Sequence, residues 1–157
     1  MRLPIVEQAL HACGQHLKQT QATGTEIEAY LTRSMLVLIC AAFEEEIIKI
    51  ILSRISKTND AEVTSFVELN MRFIVRSIKT SEISGLLDKF SSTYKEKFRE
   101  KLKQNEKAET FYNNIITNRN DIAHSSSTNI TFSELQDYYN EGHTILDFIK
   151  NSLLQNT

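Results

Sequence analysis

A single all-α domain is the fold class this sequence predicts, and three observations predict it. Only four glycines and one proline occur in 157 residues, too few turn formers for a multi-stranded β fold. Apolar residues recur at three- and four-residue spacing along most of the chain. Thr25-x-x-Glu28 and Thr131-x-x-Glu134 both carry the capping-box pattern that opens helices. The length suits one domain over residues 1–157. Its core is expected over about 25–154, with residues 1–24 forming an N-terminal helix and connector.

The elements follow in order. The first helix is expected from about Leu3 to Gln19, with Val6, Leu10, Cys13 and Leu17 at helical spacing. Gln-Ala-Thr-Gly breaks it, and Thr25 opens a long second helix reaching Lys57. Its middle, Met35 to Phe43, is apolar all round, which predicts the central buried helix. Thr58-Asn59-Asp60 stops it and caps a third segment, Ala61 to Lys79, with an apolar face of Phe66, Val67, Met71, Ile74, Val75 and Ile78. A short apolar piece follows through Ile83, Leu86, Leu87 and Phe90. A charged stretch then carries a narrow stripe of Tyr94, Phe98 and Leu102. A further helix, about Ala108 to Ala123, places Phe111, Tyr112, Ile115, Ile116 and Ile122 inward. Ser125 to Asn129 reads as a loop, and one final helix runs from Thr131 through Tyr138, Leu146, Ile149 and Leu153. Five or six helices result.

Composition narrows the function classes. The longest apolar run, Met35–Phe43, is too short to span a bilayer, and Arg2 is followed by no signal-peptide core. Cys13 and Cys40 have no loop framework around them, which predicts reduced, buried thiols in a cytoplasmic protein without a membrane partner. The net charge of −2 is uneven: Arg72 to Lys107 holds ten Lys/Arg against five Asp/Glu, a local net of +5. A basic middle on an acidic chain suits phosphate contacts. Lys95, Arg99 and Lys103 are the candidates for an RNA backbone track, although Glu96 and Glu100 interleave with the lysines there.

Asn118-Arg119-Asn120-Asp121-Ile122-Ala123-His124 is the segment that carries chemistry. It sets ionisable groups at a helix end, on a rigid support next to a loop. Arg119, four residues and His124 match the Arg-x(4–6)-His motif, and the chain resembles HEPN domains (higher eukaryotes and prokaryotes nucleotide-binding). Asparagine after the arginine, Ile-Ala before the histidine, Ser84-Gly85-Leu86-Leu87-x-x-Phe90 and Phe43-Glu44 make it most similar to the RiboL-PSP-type branch, over about residues 25 to 150. The resemblance implies an all-α HEPN-like bundle and a metal-independent endoribonuclease without cofactor. It also implies RNA as substrate, a homodimer with both motifs meeting at the interface, and a toxin or anti-phage role under a cognate antitoxin or regulator. Two positions depart from relatives: Ser125 replaces a frequent glycine, and Ser126 occupies the tyrosine position of the His-x-Tyr toxins.

The chemistry of these residues agrees. RNA cleavage needs a 2′-hydroxyl deprotonated, charge on the phosphorane-like transition state stabilised, and the 5′-oxygen protonated. Histidine transfers protons near neutrality, and arginine matches phosphate oxygens with a planar fork of donors. His124 is therefore the acid/base candidate, Arg119 the phosphate ligand and Asn120 the assistant. Glu44 and Asp121 are candidates for orienting them. Five residues of ideal helix turn Arg119 and His124 about 140° apart, so one unbroken helix cannot aim both at one phosphate from a single side. Asn120 and His124, four apart, share a face.

Other constellations carry less. His11, Cys13 and His16 point in diverging directions on a helix and do not close a metal site. His143 is expected at the surface, and Tyr138-Tyr139 to divide into one core and one surface ring. Two further functions remain open: a non-catalytic HEPN module binding nucleotide or RNA, and an interaction protein such as an antitoxin or complex subunit.

Overall fold

The computed structural model describes residues 1–124 and 130–154, the side chains of Ala123 and His124 excepted. These residues form eight α-helices and one 3-10 turn, with no strand among them. The helices are α1 (Pro4–Gln19), α2 (Glu26–Ile55), α3 (Ala61–Ile74), α4 (Thr80–Phe90), α5 (Ser92–Gln104), α6 (Glu106–His124), α7 (Phe132–Gly142) and α8 (Thr144–Leu154). No helix of the described residues is long and apolar enough to cross a membrane.

The 30-residue α2, about 45 Å long, is the axis of the bundle. It packs against α1, α3, α6, α7 and α8. Leu36, Ile39, Cys40, Phe43, Ile47 and Ile51 are almost fully buried along it. Phe43 stacks between Tyr112 of α6 at 5.3 Å and Tyr139 of α7 at 6.1 Å, ring centroid to ring centroid. Each such pair adds about 0.5–1.5 kcal/mol to the burial of the rings. Tyr139 also accepts the Leu3 amide at 2.8 Å, tying the start of α1 to α7. Tyr138 is half-buried against Phe111, so neither tyrosine of the pair is an exposed ring.

Four sequence expectations are corrected. The Thr25–Glu28 capping box does not form: Thr25 Oγ1 donates to Ala22 O, and Glu28 accepts the amides of Gly24 at 2.6 Å and Phe132 at 2.9 Å. The Thr131–Glu134 box does form, in both directions. The third helix stops at Ile74, and Val75 and Ile78 are buried from the connector instead. There Ser77 takes a left-handed φ of 47°, held by Glu44. Phe66, expected inward, is 68% exposed and shares the outer side of α3 with Leu69 and Phe73, while Met71 and Val67 face the core. The single last helix divides into α7 and α8 at His143.

Gly142, the last residue of α7, stands just before the division. A Cβ there would stand 3.0 Å from the Tyr112 amide nitrogen and 3.1 Å from its Cα, so α7 crosses α6 backbone to backbone. Gly142→Ala is expected to destabilise by about 1–3 kcal/mol through overpacking. Gly85→Ala, with nothing within 4 Å of its Cβ position in α4, is expected to be neutral or to stabilise slightly. Urea midpoints of the two variants check the contrast.

His143 is half-buried rather than at the surface, its ring 5.6 Å from that of Tyr139. Burial lowers its pKa below 6.5, helped by the positive charges of the Met1 amine and Arg2 and opposed by Glu7. The unfolded chain therefore binds a proton that the folded chain resists. The stability from this group is complete above pH 6.5 and is lost as pH falls from there toward the lowered folded value. The urea midpoint should drop on acidification through this range, and His143→Gln should flatten the drop.

Candidate functional site

The end of α6 is built against α2. Tyr112 of α6 stacks on Phe43 of α2, and the Phe132 amide that opens α7, soon after α6 ends, bonds Glu28 near the start of α2, so α6 runs antiparallel to α2. Arg119, two turns beyond Tyr112, continues the face that buries Tyr112, Ile115 and Ile116, and stands level with about residue 36 of α2. Side chains on a helix lean toward its N-terminus, which tilts Arg119 back toward Cys40. The Cys40 thiol registers it. Burial and then Glu44 push the thiol pKa up, Arg119 pulls it down, and the outcome is about 12. Cys40 is thus a packing residue, not a nucleophile.

Arg119 is half-buried, and its Nη1 donates to Asn120 Oδ1 at a long 3.4 Å. Among the described residues no carboxylate lies within ion-pair distance of it. A half-buried guanidinium without an acid is an arrangement that an incoming phosphate satisfies. Asn120 is half-buried beside it, whereas Asp121 is exposed. Asn118 is turned back onto the Asn114 carbonyl at 2.8 Å. The backbone of His124 closes α6, four residues from Asn120. Its side chain lies outside the described residues, as do Ser125 and Ser126.

The remaining candidates do not gather here. Glu44 Oε1 accepts the Ser77 amide at 2.7 Å and the Ser77 hydroxyl at 3.2 Å. That carboxylate oxygen pins the connector between α3 and α4 rather than Arg119. Lys95 pairs with Asp88 at 2.8 Å, and Arg99 Nε donates to Ser84 Oγ at 3.2 Å. Arg99 and Lys103 line a separate cleft of about 370 Å³ with Thr80, Ser81, Ser84, Glu106 and Glu109. Glu109 lies ten residues before Arg119 on α6, so this cleft is displaced about 15 Å along the helix from the motif. Its two acids also offset its two cations.

One residue near the motif escaped the sequence reading. Arg33 is the sole charged residue between Glu28 and Glu44, two residues before the apolar run Met35–Phe43 of α2. Seven residues before Cys40, it shares the face of α2 on which Arg119 acts. A lone charge in the fifteen residues between Glu28 and Glu44 was the available signal.

All nine large apolar residues exposed among the described residues lie on the first three helices: Ile5, Ile27, Tyr30, Val37, Val63, Phe66, Leu69, Phe73 and Ile74. None lies on α4 to α8.

A family model described as RiboL-PSP-HEPN matches residues 6–155 of the chain. No curated protein and no solved structure matches it significantly.

Proposed function

Since the chain belongs to the RiboL-PSP-HEPN family, we propose that it is a metal-independent endoribonuclease acting through Arg119 and His124, with Asn120 assisting. The observation that carries this is Arg119: half-buried at the end of α6, with no ion pair to a described acid and one long hydrogen bond, to Asn120. In the proposed step a 2′-hydroxyl loses its proton and attacks the adjacent phosphorus. The bond to the 5′-oxygen breaks, and that oxygen takes a proton. His124 moves the protons, and Arg119 neutralises the phosphoryl oxygens. The products are a 2′,3′-cyclic phosphate and a 5′-hydroxyl end.

A homodimer completes the site in this reading. The divergence of Arg119 and His124 around α6 is resolved when a second copy supplies the other group across a two-fold axis. The exposed apolar residues of α1 to α3 support it. With Tyr30 left free, the other eight at roughly 100 Å² each offer about 800 Å², matching the roughly 800 Å² that one partner contributes to a standard interface. Val37, 51% exposed, stands one turn from Cys40 and so borders the motif. A toxin or anti-phage role in the cytoplasm, restrained by an antitoxin or regulator, fits such an enzyme.

The test is cleavage of total and tRNA-sized RNA by the purified protein in EDTA. Cutting that leaves cyclic-phosphate ends and vanishes in Arg119→Ala and His124→Ala supports the reading. Binding without cutting by the wild type assigns the chain to the non-catalytic RNA-binding modules.

A further inference from the structure

We propose that Arg33 and Tyr30 form a second RNA subsite on α2, Arg33 holding a phosphate that flanks the scissile one and Tyr30 stacking on a base. The proposal rests on the nuclease reading of Arg119 and adds to it the place where the strand continues.

Arg33 Nε is shielded from solvent and has no hydrogen-bond partner among the described residues. A buried donor left unmet is costly, so it calls for an acceptor. Glu28 is committed to the amides of Gly24 and Phe132 and Glu44 to Ser77, and among the described residues no ion pair joins Arg33 to Glu26 or any other acid. The Arg33 guanidinium instead lies over the Tyr30 ring, 5.3 Å from its centroid. That ring is 62% exposed. An exposed aromatic face beside a guanidinium without an acid is the pairing that single-stranded RNA uses, base on ring and phosphate on fork.

Position along the helices makes the two arginines successive contacts rather than one clamp. Arg33 and Arg119 enter the same seam from antiparallel helices, and each side chain leans toward its own N-terminus. Arg33 leans to Tyr30, and the same lean carries Arg119 the opposite way, to about the level of Cys40. Ten residues of α2 separate those levels, about 15 Å, a distance that a strand covers in a few nucleotides. Arg119 therefore takes the scissile phosphate, and Arg33 takes one further along.

The experiment measures binding of a fluorescent oligoribonucleotide made uncleavable by 2′-O-methyl groups, using the full chain between 50 and 200 mM KCl. Arg33→Gln should weaken binding about tenfold and lower the slope of log affinity against log salt by about 0.7, one phosphate of a single strand. Arg33→Lys should keep the slope, and Tyr30→Ala should weaken binding with the slope unchanged. Arg33→Gln with wild-type affinity and slope overturns the subsite. So does a variant that only melts earlier while its slope stays. In both cases Arg119→Ala still abolishes cutting if the nuclease reading holds. A wild type that neither binds the oligonucleotide nor cuts RNA overturns both.

Discussion

Arg119→Ala and His124→Ala are each expected to slow RNA cleavage by about 100- to 10,000-fold, the range spanned by losing a positioned acid/base or a transition-state charge donor. Neither change should melt the protein. Among the described residues Arg119 makes one hydrogen bond, the long one to Asn120, and no ion pair, so its removal breaks little polar structure. Mixing the two inactive variants then asks whether the site is composite. If each site takes Arg119 from one protomer and His124 from its partner, a mixed dimer regains one complete site out of two. With random exchange about half of the dimers are mixed, so activity should return to roughly a quarter of wild type. If both groups act within one protomer, the mixture stays inactive. Measuring cleavage after subunit exchange separates the two, and light scattering at micromolar concentration checks that a dimer exists to be exchanged.

How far the sequence could be read depended on how local each interaction is. Helix existence was legible because inward positions recur at helical spacing, as in Tyr112, Ile115 and Ile116. The Thr131–Glu134 box was legible because both partners sit within one turn. Thr25–Glu28 has the same pattern and failed, because Glu28 is claimed by an amide 104 residues away. In α3 the pattern showed an amphipathic segment but not which apolar side meets the core. Met71 and Val67 do, and Phe66, Leu69 and Phe73 do not. The close crossing of α7 on α6 at Gly142 and Tyr112 is a contact across the fold, which local pattern does not carry. At the candidate site, Arg119 and Asn120 were legible as a motif. The bond from Glu44 to Ser77 was not, spanning 33 residues.

Glu28→Ala is expected to cost about 3 kcal/mol, because its buried carboxylate accepts two amides that nothing else described would satisfy. In a chain of this length that is a fall in Tm of roughly 6–12 °C. The carboxylate joins three things at once: the connector after α1, the first turn of α2 and the first amide of α7. Glu28→Gln keeps one acceptor oxygen but turns an NH2 group toward a backbone donor, so it should recover less than half of the loss. Glu134→Ala is the informative control. It removes an exposed carboxylate from the same end of α7, and a lost cap of that kind costs about 1 kcal/mol. Urea midpoints at unchanged m-value would measure all three. Equal losses for Glu28→Ala and Glu134→Ala would mean that the long-range bond adds nothing beyond an ordinary cap. A clear excess for Glu28 would identify it as the latch that holds α7 on α2. Because α7 follows the motif helix and packs along it, loosening that latch should also lower cleavage at temperatures where the bundle is still folded.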